Sequence, residues 1–287
     1  ESRMTLARAD FIEGMAKGLA VLESFDTERQ RLNATQAAQR AGLTRAAARR
    51  HLLTLAHLGY LESDGSHFWL SAKVLRFSGS YLASARLPRT VQPTLNRLAA
   101  QTRDAYSVAV LEGDAVVIVA RSAAALAPDW AADWDGSSLA AGLPVPASAR
   151  LMAYGLHLGA RLPAHASSTG RVLLASLPEP ELAAWFEGRA LARLTPYTVT
   201  DPGALRKILD QIRQQDCCIA SEEHEIGVHA LAVPLRNQQG RTVAALNISG
   251  QANRNSAEMM RVQLLPRLLA ATQLVSQLLR ASSRLSL

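Results

Sequence analysis

The sequence predicts an α+β protein with a winged helix-turn-helix at its N-terminus, followed by linker helices and a larger domain of antiparallel sheet with helices packed on it. Three observations predict it. Two short helical stretches meet at Ala41-Gly42-Leu43-Thr44 and are followed by a compact hairpin signal at Asp64-Gly65. Beyond residue 103 the texture changes to pairs of strand-like runs separated by helices. The basic residues crowd into the first of these two regions.

Taken in order, Ile12, Met15, Leu19, Leu22 and Phe25 recur at helical spacing and predict an amphipathic helix over Ile12 to Phe25. Thr35 is placed to cap a short helix, Gln36 to Ala41, which Gly42 ends in a left-handed conformation. Thr44 caps the next helix, Arg45 to Leu58, closed by Gly59. Leu43 should pack inward, with Leu52, Leu55 and Leu58 holding this helix against the first. Tyr60 to Leu70 reads as a hairpin around Asp64-Gly65. Ser71 to Ala85 and Pro88 to Thr102 are helical and serve as a linker. The expected domains are therefore 1–71, 72–102 and 103–287.

In the third segment, Ser107 to Leu111 and Ala115 to Arg121 predict one strand pair, and Leu231 to Arg236 with Thr242 to Gly250 another. Helices are expected at Gly170 to Ser176, Glu181 to Glu187 and Pro202 to Gln215, the last announced by Asp201 before Pro202. A long helix, Ala257 to Arg280, closes the chain.

The chain has 287 residues and a formal net charge of +7, which is unevenly spread. Residues 1–103 hold 15 Lys and Arg against 8 Asp and Glu, whereas residues 104–287 hold 16 of each. From Arg29 to Leu61 there are six arginines and no acid. A surface of this kind attracts a polyanion, because each neutralised phosphate releases condensed counterions. The DNA-facing candidates are Thr35, Gln36, Thr44, Arg45, Ala46, Arg49 and Arg50 on the two helices, with Ser66 and His67 at the hairpin tip. Double-stranded DNA is the expected macromolecular partner.

Other function classes find little support. No apolar stretch is long enough to span a membrane, and no apolar run follows the basic residues near residue 1 to act as a secretion signal, so the cytosol is the expected compartment. Cys217 and Cys218 are adjacent, which excludes a disulfide framework and predicts packing in a strand. No phosphate-binding glycine loop occurs, and no GxSxG elbow ties a nucleophile to a base, so neither a cofactor nor an enzyme activity is expected. The polar run Ser221-Glu222-Glu223-His224-Glu225-Ile226-Gly227-Val228-His229 spaces its histidines by five, which does not suit a helical zinc motif. A hydrolytic or ligand-binding module that binds no DNA is the alternative from another class.

Several segments together resemble the IclR family of bacterial transcriptional regulators, and within it the branch governing aromatic-acid catabolism. They are Gly18 to Leu22, Ala41 to Arg50, Leu58-Gly59-Tyr60, Arg161-Leu162-Pro163, Ser168 to Ala175, Pro196 to Pro202 and the stretch from Gly227 to Ser249. The resemblance implies a GAF-like effector domain and assembly as dimers or pairs of dimers. It also implies that the loop around Ser168 and Thr169 and the strand carrying Asn247 and Ser249 line an effector pocket. Ala220 and Ala230 stand where relatives place polar groups, which favours an aromatic acid such as 4-hydroxybenzoate or protocatechuate over a small aliphatic keto acid. The ligand carboxylate is expected at the helix start near Ser168 and Thr169, with Arg150 or Arg161 near enough in sequence to supply charge. His229 and Tyr106 are the candidates for a ring hydroxyl. The chain departs from the family between Ser122 and Ser148, a longer segment holding Trp130 and Trp134, expected to be a flexible surface insertion, an aromatic lid or a contact with another subunit.

Overall fold

The computed structural model describes residues 6–26, 29–102, 104–122, 157–252 and 256–283. The segment carrying Trp130, Trp134 and Arg150 lies outside them. The chain divides into two compact units, Glu1–Ser84 and Ala85–Leu287. The division falls inside the segment expected to act as a linker, whose first helix belongs to one unit and whose second to the other.

The first unit contains α1 (Glu13–Leu22), α2 (Ala34–Ala41), α3 (Arg45–His57), a hairpin of β1 (Leu61–Ser63) and β2 (Phe68–Leu70), and α4 (Leu75–Ser84). Asn33, not Thr35, caps α2. Its Oδ1 accepts from the Thr35 and Gln36 amides, both at 3.0 Å, while Gln36 Oε1 accepts from the Asn33 amide at 2.9 Å. Gly42 takes the left-handed conformation (φ +66°) that lets the chain turn into α3, and Thr44 caps α3 as the sequence predicts. Val21, Phe25, Leu32, Ala37, Leu52, Leu61 and Phe68 form the core.

The stripe expected to bury α1 is displaced. Ile12, Met15 and Leu19 are exposed, and the helix packs through the side carrying Gly18, whose Cα hydrogens lie close enough to α3 that an added Cβ would meet His51 at 3.6 Å. The helix reaches the core at its end, through Val21, with Leu22 packed against that core and Phe25 buried just beyond. Leu58 is also exposed, because it is the residue at which the chain leaves α3.

The second unit is built on a six-stranded sheet of order β5-β4-β3-β8-β7-β6, every pairing antiparallel. Its strands are β3 (Ala105–Glu112), β4 (Ala115–Arg121), β5 (Arg161–Pro163), β6 (Cys218–Ser221), β7 (Val228–Arg236) and β8 (Thr242–Gln251). Both faces are covered, so neighbouring strand residues enter different cores. On one side Tyr106, Val108, Leu231, Val233 and Ile248 pack with α5 (Arg86–Thr102) and the C-terminal helix. On the other, Ala109, Ala232 and Ala245 pack with α6 (Ser168–Ala175), α7 (Glu179–Phe186) and α8 (Pro202–Gln215). Cys217 belongs to the first core and Cys218 to the second; burial pushes the Cys218 thiol up to about 12.

The closing helix is not uniform. A turn at Ala257–Met259 passes through a π segment, Met260–Leu264, into α9 (Leu265–Ser283). Pro266 lacks the N–H that would continue the ordinary ladder, and the wider turn just before it absorbs that loss.

Candidate DNA-facing surface and ligand cavity

On α3, Arg45, Ala46, Arg49 and Arg50 are exposed together with Leu53, while Ala48 and Leu52 face the core. None of the three arginines enters an ion pair among the described residues. Thr44 spends its oxygen on the Ala47 amide at 3.2 Å, and Gln36 spends its carbonyl in the capping box. Thr35 is exposed beside them.

The hairpin tip is organised by Asp64. Its Oδ1 accepts from the Ser66 amide, the Ser66 hydroxyl and the His67 amide at 2.9, 2.9 and 2.8 Å, and these bonds hold the carboxyl at about 2. The charge is further answered by Arg31, whose guanidinium lies 3.8 Å from Asp64 and stacks 4.1 Å over the Trp69 ring. Sequence reasoning missed Arg31, because only the fold brings it to the hairpin.

In the second unit, a cavity lies against the sheet face that carries Asn247, Ser249, Ala220 and Ala230. Strand pairing explains the set: Ala220 faces Ala230, Ala230 faces Ser249, and Asn247 sits across from Ser107. The start of α6 closes the cavity from above the sheet. Ser167 is the N-cap, accepting from the Gly170 amide at 3.2 Å, so Ser168 and Thr169 begin the helix and their own N–H groups have no acceptor within it. Gly170 lets this turn sit on the chain before it, since a Cβ there would lie 2.3 Å from the Ala164 backbone.

The loop after β6 forms the remaining wall through Glu223, His224 and Glu225. Glu223 anchors it. Arg171, almost fully buried, holds the Glu223 carboxylate with both terminal nitrogens, one at 2.5 Å, and donates Nε to the His165 carbonyl at 2.7 Å. The Val199 amide donates to the same carboxylate at 3.2 Å, and the Thr195 and Thr198 hydroxyls donate to the Glu222 and Glu223 carbonyls. Burial, with His165 nearby, lowers the His224 pKa.

Ser168, Thr169, Asn247 and Ser249 thus come together at one cavity. Tyr106 and His229 do not. Both point to the opposite face of the sheet, where the Tyr106 hydroxyl lies 2.9 Å from Thr102 Oγ1 and His229 occupies the strand position between Val228 and Ala230. Arg161 pairs with Glu112 in solvent, away from the cavity. Arg121, which the sequence reading did not single out, pairs across β3 with Ser107 and therefore shares the cavity's sheet face. Among the described residues its Nε is buried without a hydrogen-bond partner, and burial lowers its pKa. Among the described residues no cluster of side chains could hold a metal ion, and no helix is long and apolar enough to cross a membrane.

A winged helix-turn-helix in one unit and a cavity lined by a helix start and a sheet face in the other fit a ligand-responsive DNA-binding regulator. Residues 14–65 match the IclR helix-turn-helix domain, and residues 145–277 match the bacterial transcriptional regulator IclR C-terminal domain. The Pca operon regulatory protein of Acinetobacter baylyi is 48% identical over 265 residues, covering 92% of this chain and 88% of that one. The p-hydroxybenzoate hydroxylase transcriptional activator of the same organism is 49% identical over 257 residues, covering 90% and 88%. A crystal structure of a double mutant of the PobR inducer binding domain from Acinetobacter, in complex with 3-hydroxybenzoic acid, is 42% identical and covers 67% of this chain and 98% of that one, with a TM-score of 0.56. The chain belongs to the IclR family of bacterial transcriptional regulators.

Proposed function

We propose that this regulator controls aromatic-catabolism genes in response to a small aromatic acid, 4-hydroxybenzoate or protocatechuate. The observation that carries the reading is the cavity itself. It joins a flat, small-residue wall at Ala220 and Ala230, able to take a ring, to the free amides at the start of α6, able to take a carboxylate. Arg121 on the same sheet face adds positive potential. A polar aliphatic keto acid would leave the alanine wall without a partner. Two regulators this chain is similar to are named for the Pca operon and for p-hydroxybenzoate hydroxylase, and the double-mutant PobR domain is in complex with 3-hydroxybenzoic acid. For a ligand of about ten non-hydrogen atoms, roughly 0.8 kcal/mol per atom gives a dissociation constant near micromolar. A thermal-shift screen tests it: a hydroxybenzoate at about 100 times its dissociation constant should stabilise the native protein by about 2.7 kcal/mol. A protein stabilised by keto acids and by no aromatic acid would refute it.

The same reading assigns operator contact to α3, through Arg45, Arg49 and Arg50, with the hairpin lying along the backbone. Alanine at an arginine that reads a base should cost about 1–3 kcal/mol and change base preference. Alanine at one that holds phosphate should weaken all sequences alike and reduce the salt slope by about one. Unchanged operator binding after replacing all three would remove α3 from the interface. Exposed apolar side chains on α1 (Ile12, Met15, Leu19) and α4 (Leu75, Phe77) support assembly into a homodimer or a dimer of dimers.

A further inference from the structure

Glu225 is a carboxylate that the fold carries to the cavity and then leaves unanswered. It lines the cavity, and among the described residues its Oε1 is shut off from water with no hydrogen-bond partner. An unpaired buried acceptor costs the full desolvation of the group, so such an atom calls for an explanation. Burial also holds the carboxyl above its ordinary range.

The loop is not free to turn it away. Glu222 sits in the left-handed region (φ +57°), uncommon for a residue with a side chain, and its Oε1 accepts from the Gly227 amide at 2.8 Å. The Gly227 carbonyl accepts from the Ala252 amide at 2.8 Å, and Glu223 is clamped by Arg171 and Val199. Glu225 therefore lies between two fixed points, two residues from each.

An acid in the wall of a site for an acid is repulsive unless the ligand turns a donor toward it. Two of the cavity's other polar groups are committed: Asn247 Oδ1 accepts from Ser107 Oγ, and Ser167 caps α6. The hydroxyl partners suggested by sequence, Tyr106 and His229, face the other side of the sheet. We propose that Glu225 reads the ring hydroxyl of the effector, Oε1 accepting the phenolic O–H of a hydroxybenzoate whose carboxylate lies at the start of α6. The proposal rests on the aromatic-acid reading above. It makes Glu225 a specificity residue, because a benzoate without the hydroxyl buries the same oxygen against a ring and gains nothing in return.

Titration calorimetry on the full chain with 4-hydroxybenzoate, 3-hydroxybenzoate and benzoate tests it. The wild-type protein should prefer the better-bound hydroxybenzoate over benzoate by about 10- to 100-fold, the range of a hydrogen bond to a charged group. Glu225→Ala should bring that ratio close to one by weakening the hydroxybenzoate, with benzoate bound no more weakly than before. Glu225→Met, which keeps the side chain's length without an oxygen, should give the same ratio and serves where the alanine variant is unstable. Glu225→Gln, which retains an acceptor, should recover part of the preference. Alanine and methionine variants that keep the wild-type ratio overturn the proposal, and so does a wild-type protein that binds hydroxybenzoate and benzoate equally. A wild-type protein that binds none of the three overturns it together with the aromatic-acid reading.

Discussion

Arg171 and Glu223 show how much of the cavity rests on two residues. The pair is buried, and it also reaches backbone on both sides, through the His165 carbonyl to the guanidinium and the Val199 amide to the carboxylate. Removing one partner strands the other charge out of water. Glu223→Ala should therefore destabilise the second unit by about 3–5 kcal/mol, measured by urea denaturation, a far larger loss than a surface glutamate would show. A change below about 0.5 kcal/mol would mean that the pair is not buried in solution. The sequence offers both residues but not their meeting, since 52 positions separate them and the helix carrying Arg171 reads simply as apolar. The run Ser221 to His229 stands out in the sequence as its densest polar cluster, yet local spacing tests only a metal site, and the partner that explains Glu223 comes from elsewhere. Tyr106 and His229 fail as cavity residues for a related reason. Which strand residues share a face depends on pairing register, and register is a property of the assembled sheet.

Among the elements, the hairpin follows its sequence signal closely, because Asp-Gly at a tight turn is a local preference that tertiary contacts need not supply. Its tip also makes a pH prediction. Asp64 has its carboxyl lowered from 3.8 to about 2, chiefly by the amides of His67 and Ser66. A depressed folded pKa contributes stability that is present above the unfolded value and disappears as pH falls through the folded one. The Ser66 and His67 amide resonances should therefore hold their positions down to about pH 4 and shift together toward pH 2, where the tip loosens. Shifts centred near 4 would show an Asp64 that the tip does not hold. The start of α2 was readable in a different way. Asn33 and Thr35 are both good caps, but only Asn33 has a glutamine three residues on, and that reciprocal pairing decides the boundary. The expected stripe on α1 was right only at its end, where Leu22 and Phe25 meet the core, while Ile12, Met15 and Leu19 stay exposed.

At the scale of the whole molecule, the α+β class was legible because its evidence is order: helix, helix, hairpin, then strand pairs divided by helices. The two-sided sheet was less legible, since it shows only as adjacent residues such as Cys217 and Cys218 entering different cores. Two compact units with separate cores imply that operator binding and effector binding fail separately. Thr169, 2% exposed at the start of α6, is the position where that separation is best examined. The measurement is operator affinity by fluorescence anisotropy, with and without 4-hydroxybenzoate, for the wild-type protein and for Thr169→Leu. The expected result is equal affinity of the two ligand-free proteins and a ligand-dependent change confined to the wild type. A Thr169→Leu protein that answers 4-hydroxybenzoate as the wild type does would contradict the account and place the effector elsewhere.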